Sequence, residues 1–151
     1  MKTIIIKYLK PPVIALLSLI IAVIFNYSFP TKFIPKPFNY FGFIFIIIGL
    51  SIMFLSFGLF KKNKTPIMPG KQPTALVASG PYRFTRNPMY LGMTYILSGI
   101  AIYLGSFVAF ISPVIFFLGM NFIYVPFEEQ KMEKLFGREY LEFKKKVRRW
   151  I

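Results

Sequence analysis

From Asn87 to Phe127 the chain carries no charged side chain. This stretch lies between an arginine motif, Gly80-Pro81-Tyr82-Arg83-Phe84-Thr85-Arg86-Asn87-Pro88-Met89-Tyr90, and the acidic pair Glu128-Glu129. As helix, at about 1.5 Å per residue, it would run to twice the ~30 Å of a bilayer core. It therefore predicts two spans folded into a hairpin, with the bend near Gly105-Ser106-Phe107. An antiparallel pair returns its second end to the face where the first began, so Glu128 and Glu129 are expected beside Arg86 and Tyr90.

Two more charge-free apolar runs precede the hairpin, Pro12 to Phe29 and Pro37 to Phe60, each long enough to cross. With 56% hydrophobic residues in 151, the expectation is one domain, 1–151. The expected fold is an all-α integral membrane bundle of about four transmembrane helices (12–29, 37–60, 88–105 and 108–127) with an amphipathic C-terminal helical tail over 128–151. Lys2, Lys7 and Lys10 ahead of the first run imitate a secretory signal, but no small-residue cleavage site follows, and a retained span is expected.

The net charge of +14 is distributed for a membrane rather than for nucleic acid. Lysines and arginines occupy the N-terminal segment, the Lys61 to Arg86 loop and the region after Glu128, whereas the other connections hold only Lys32 and Lys36. Four crossings put the basic segments on one side, which predicts both termini in the cytoplasm. Most of these cations need do no more than set topology and meet anionic headgroups.

Cysteine and histidine are absent, which removes disulfides, thiolate and zinc sites and imidazole catalysis from what this chain supplies. No metal site is expected. All five acidic residues, Glu128, Glu129, Glu133, Glu139 and Glu142, lie after the hairpin.

Gly42, Gly49 and Ser56 recur every seven residues in the second span, and Gly92 and Gly99 do so in the third, a spacing that favours close helix packing in lipid. The Lys61 to Ser79 loop holds Pro66, Pro69, Gly70 and Pro73 and cannot be a continuous helix. Pro88 is placed to start the third span. After Glu129, Met132, Leu135, Phe136, Tyr140, Phe143 and Val147 form an amphipathic helical pattern with a break expected at Gly137, and Trp150 suits the interface. That tail reads equally as a basic membrane-surface segment and as a lid.

Ionisable groups at a bilayer edge are costly unless paired or solvated, so Arg86 and Glu128, brought together by the hairpin, form a candidate site. The alternative is that they only mark where helices leave the membrane. Arginine matches a carboxylate, glutamate an ammonium, and Tyr82, Phe84 and Tyr90 offer faces for a purine or a sulfonium. S-adenosylmethionine carries all of those groups, although nucleotides and phospholipid headgroups share several. Neither a Gly-x-Gly-x-x-Gly nor a Walker loop is present.

The run Leu76-Val77-Ala78-Ser79-Gly80-Pro81-Tyr82-Arg83-Phe84-Thr85-Arg86-Asn87-Pro88-Met89-Tyr90-Leu91-Gly92 is followed, after the uncharged hairpin, by Glu128-Glu129 and Leu135-Phe136-Gly137-Arg138-Glu139-Tyr140-Leu141-Glu142-Phe143-Lys144. In both blocks, their order and their spacing, the chain from about Thr74 onward resembles the isoprenylcysteine carboxyl methyltransferase and phospholipid methyltransferase superfamily. The resemblance implies an integral membrane enzyme that binds S-adenosylmethionine on the cytoplasmic side and methylates a lipidic or prenylated acceptor reached from the bilayer. It implies further that Thr74, Ala75, Leu76 and Val77, Tyr82, and the turn Asn87-Pro88-Met89-Tyr90 line the cofactor pocket, with Arg86 beside them. Glu128, with Glu129 next to it, would hold the methionine end, and the tail would close over the site.

Two departures bear on the acceptor. Isoprenylcysteine enzymes usually have histidine where this chain has Asn87. They also carry an arginine shortly before the glutamates, where Tyr124-Val125-Pro126-Phe127 has no cation. A carboxylate acceptor is thereby in doubt, and a phospholipid amine stands beside it. An amine needs only to be deprotonated and aimed, while a carboxylate needs no base, so the missing histidine counts against hydrolysis rather than methyl transfer. The catalytic residue is left open. Two alternatives remain: an NADPH-dependent membrane reductase of related hairpin architecture, and a non-enzymatic membrane scaffold.

Overall fold

The computed structural model describes residues 10–29, 31–66 and 73–151, so Lys2, Lys7, Pro69 and Gly70 lie outside the described residues. Helix α1 (Pro11–Ser28) begins at a proline pair and is followed by a 3₁₀ turn, Phe38–Phe41, that runs into α2 (Gly42–Lys62). Helix α3 (Pro88–Leu104) leads through the 3₁₀ turn Phe107–Phe110 to α4 (Ile111–Gly119). A π-helical turn, Met120–Tyr124, then joins α4 to α5 (Val125–Phe136), and α6 (Arg138–Lys146) closes the order. The fold is all-helical, with no strand among the described residues; one isolated bridge pairs Lys32 with Ser106.

Pro11–Ser28, Phe38–Lys62 and Phe107–Phe136 are long and apolar enough to cross a membrane, and Pro88–Leu104 is a shorter apolar helix of 17 residues. That length stands at the low end of what a bilayer core accepts. The chain is thus an integral membrane bundle of about four helices. On α2 the large apolar side chains face outward, Ile47 at 63% and Phe54 at 73% exposure, which in lipid carries no penalty.

The small-residue stripes of α2 and α3 meet each other. A Cβ on Gly49 would lie 2.5 Å from the Gly92 carbonyl oxygen, and one on Gly99 2.5 Å from that of Gly42. Only bare backbones pack this closely, so these positions are packing contacts, as their spacing suggested. Ser56 completes the stripe, fully buried, its hydroxyl donated to Ile52 O at 2.7 Å.

Gly105, at φ +66°, ends α3 in the left-handed conformation and makes the bend expected there. The α1–α2 connection is hydrogen-bonded onto this bend, with Phe33 N donating to Gly105 O at 2.8 Å and Asn39 Nδ2 to Tyr103 O at 3.0 Å.

The helix of the last span extends past residue 127. The helix runs on through Glu128 and Glu129 to Phe136, and the break falls at Gly137. Pro126 has no N–H for Phe122 O and its ring crowds that carbonyl; the π turn upstream absorbs the misfit without ending the rod.

Candidate cofactor cavity

The end of the bundle opposite Gly105 encloses a cavity of about 660 Å³, within the usual span of small-molecule sites. Its walls come from five of the helices and the loop before α3: Lys10, Pro11 and Pro12 at the head of α1, Phe57 and Phe60 from α2, and Met89, Tyr90 and Met93 from α3. Phe127, Glu128, Glu129, Lys131 and Met132 come from α5, and Tyr140 and Phe143 from α6. Pro66, Pro73, Ala75, Leu76, Val77, Tyr82, Arg86 and Asn87 supply the connecting side.

The hairpin therefore brings Ala75, Leu76, Val77, Tyr82, Arg86, Asn87, Met89, Tyr90, Glu128 and Glu129 to one cavity. Thr74 and Pro88 are not in its wall. Thr74 closes the base of the loop, its N–H donating to Thr65 Oγ1 at 2.9 Å and its hydroxyl to Lys64 O at 3.3 Å. Pro88 is buried at the first turn of α3, where its missing N–H costs nothing. Phe84, expected as a ligand face, is 75% exposed and points away.

The charge pairing differs from the one expected. Arg86 meets Glu129 rather than Glu128, Nη1 to Oε1 at 3.0 Å, with both side chains buried. Successive helix positions point about 100° apart, so the two glutamates take different partners. Glu128 Oε1 accepts the Tyr90 hydroxyl at 2.6 Å. Glu129 is also forked by Arg149, Nε to Oε1 at 3.1 Å and Nη2 to Oε2 at 2.7 Å, and Lys144 Nζ stands 4.0 Å away. Lys144 is held more closely by Glu133, at 2.6 Å.

Two buried donors of Arg86, Nε and Nη1, have no hydrogen-bond acceptor; the 3.0 Å contact to Glu129 is close enough for an ion pair but misdirected for a hydrogen bond. A buried guanidinium with open N–H groups in a cavity wall is costly unless a ligand completes it. Burial, and then the Glu128 charge, push the Tyr82 hydroxyl far above its ordinary range, so it stays a neutral donor. Burial and Glu129 raise Tyr140 to about 12. Its hydrogen bond to Glu129 raises Arg149, fixing that side chain as a cation.

A second set of residues escaped the sequence reading. Asn87 Nδ2 donates to Arg149 O at 3.0 Å, Thr85 Oγ1 donates to the same carbonyl at 3.0 Å, and Arg86 N donates to Arg148 O at 3.0 Å. Trp150 does not lie free at the interface: its indole N–H donates to Asn121 Oδ1 at 2.9 Å and its ring packs on Phe117 at 4.7 Å. Thr85 and Asn121 carried no signal beyond being polar in apolar surroundings. Tyr140 and Phe143 were visible as an amphipathic pattern, and they cover the cavity.

An apolar helical bundle with a charged cavity walled by both ends of a hairpin defines an integral membrane protein with a candidate small-molecule site beside lipid. The family model for phospholipid methyltransferase matches residues 38–139, and the chain belongs to that family, as a membrane methyltransferase acting on lipids. The match begins at Phe38, so the family signature includes the second span as well as the hairpin. A Haemophilus influenzae protein described as uncharacterized is 40% identical over 63 residues, which is the whole of that protein and 42% of this chain. No solved structure matches.

Proposed function

We propose that the cavity binds S-adenosylmethionine and that the protein transfers its methyl group to the amine of a phospholipid. The observation that carries this is the buried Arg86, with donors left open in a cavity that Glu128 also lines. Arg86 fits the α-carboxylate of a methionine moiety, Glu128 its ammonium, and Tyr82 and Tyr90 with Ala75, Leu76 and Val77 offer an apolar and aromatic bed for adenosine. Bound there, S-adenosylmethionine supplies an electrophilic methyl on a sulfonium.

The protein's own part is positioning and enclosure. Tyr140 and Phe143 exclude bulk water, and Tyr90 fixes the Glu128 carboxylate. Pro12, Phe57, Phe60 and Met93 bring the cavity to the lipid-facing helices, so acyl chains can stay in the bilayer while a headgroup enters. Lys10 and Lys131 on the wall suit a headgroup phosphate. The segment before Glu128, where a carboxylate acceptor would need a cation, instead places Tyr124 and Val125 in the core. These points favour the phospholipid amine over a prenylated carboxylate. No residue is assigned a proton-transfer role. Lys61, Lys62, Lys64 and Arg83 lie toward the cavity end, and the positive-inside rule supports reading that end, and both termini with it, as cytoplasmic.

Equilibrium binding to detergent-purified protein tests the cofactor. S-adenosylmethionine is expected to bind and NADPH not to, with Glu128→Gln weakening the former by about tenfold or more, as loss of a charged hydrogen-bonding partner does. Tight NADPH binding with no S-adenosylmethionine affinity would overturn the proposal.

A further inference from the structure

After α6 the chain turns extended at Val147 (φ −120°, ψ 131°) and lays residues 148–150 across the open end of the bundle. That short segment bonds to three separate elements. Its backbone carbonyls take the Arg86 N–H and the Thr85 and Asn87 side chains, its arginine forks Glu129 on α5, and its tryptophan and arginine reach Asn121 in the π turn, at 2.9 and 3.5 Å. Neither Arg149 nor Trp150 is in the cavity wall. Their effect on a ligand must pass through what they hold.

Charge geometry says what passes. Glu129 lies between two arginines, and Arg149 takes both of its oxygens in a bidentate fork, the strongest arrangement available to this pair. Arg86 Nη1 is left alongside at 3.0 Å, misaligned, and its Nε has no acceptor. Arg149 holds one N–H on each Glu129 oxygen, which turns the carboxylate out of line with Arg86, and the Nε and Nη1 donors of Arg86 are left open. Without Arg149, the nearest remaining cation, Lys144, is 4.0 Å from Glu129 and engaged with Glu133, so Glu129 would turn onto Arg86.

We infer that Arg149 is a positioning residue for the cofactor site: by occupying Glu129 it keeps the Arg86 donors available for a ligand carboxylate, while the segment around it holds the turn that carries Arg86. The inference rests on the S-adenosylmethionine proposal above. It goes further in giving Glu129 a supporting role in place of ligand contact.

The test is the affinity of purified, folded protein for S-adenosylmethionine across a double-variant cycle. Arg149→Gln is expected to bind about tenfold more weakly than wild type, Arg149→Lys to lose less, and Glu129→Gln combined with Arg149→Gln to recover to within about threefold of wild type, because the competitor for Arg86 is then neutral. A merely structural role predicts that the double variant is worse than either single one. Wild-type affinity in Arg149→Gln, or no recovery in the double variant, overturns the inference. Should Arg149→Gln fail to fold, Arg149→Lys decides it: lysine cannot fork both Glu129 oxygens, so about a threefold loss is expected, and unchanged affinity overturns the inference equally. Absence of binding to wild type instead refutes the cofactor proposal, and this inference with it.

Discussion

Glu128 and Glu129 are adjacent in sequence, yet one accepts a neutral tyrosine hydroxyl and the other sits between arginines. Their substitutions should therefore separate. Tyr90→Phe removes the 2.6 Å hydrogen bond that orients Glu128 and should weaken S-adenosylmethionine binding by about tenfold and lower stability by about 1.5–3 kcal/mol, the contribution of such a bond to a charged group. Glu129→Ala strands the buried Arg86 and should cost about 3–5 kcal/mol of stability, seen as a marked fall in thermal unfolding temperature in detergent. At this scale the sequence revealed that the two ends of the hairpin converge, because the antiparallel fold alone forces that, but neither that Thr74, Phe84 and Pro88 stay out of the cavity wall nor which glutamate Arg86 chooses. The choice turns on helix phase at the end of a rod that contains a π turn, and phase is lost once the period changes. The capping partner of Asn87 was hidden for another reason: it is a backbone carbonyl, which has no residue identity to read.

Helix packing makes its own prediction. Gly49 faces the Gly92 backbone at contact, whereas Gly58, on the same helix, has nothing within 4 Å of where a Cβ would stand. Gly49→Val should destabilise the bundle by about 1–3 kcal/mol or prevent its assembly, while Gly58→Ala should be neutral or stabilising by up to about 1 kcal/mol. Thermal unfolding of the two variants side by side checks this. Such elements were legible early because periodicity announces them: the seven-residue glycine spacing, the uncharged hairpin and the break at Gly137 all follow from pattern. The helix outlasts the expected span end at residue 127 because a change from apolar to charged residues marks where lipid ends rather than where a helix ends. The 148–150 segment has neither period nor composition to mark it, being held by main-chain bonds to residues more than sixty positions away.

Across the described residues, one end of the bundle gathers the cavity, the arginines and most of the lysines, and the other carries Gly105, Lys32 and Lys36. The absence of native cysteine makes the resulting topology directly readable. Single cysteines at Lys61 and at Arg138 should both be labelled by a membrane-impermeant thiol reagent only from the cytoplasmic side, and a cysteine at Lys36 only from the opposite side; labelling of the first two from different sides would break the hairpin. What the cavity does is tested most directly by incubating the purified protein with S-adenosylmethionine labelled in its methyl group and vesicles containing phosphatidylethanolamine, and then identifying the labelled lipid. The account predicts label on the headgroup nitrogen, lost in Glu128→Gln; no transfer of label to any lipid from a protein that binds the cofactor would contradict it.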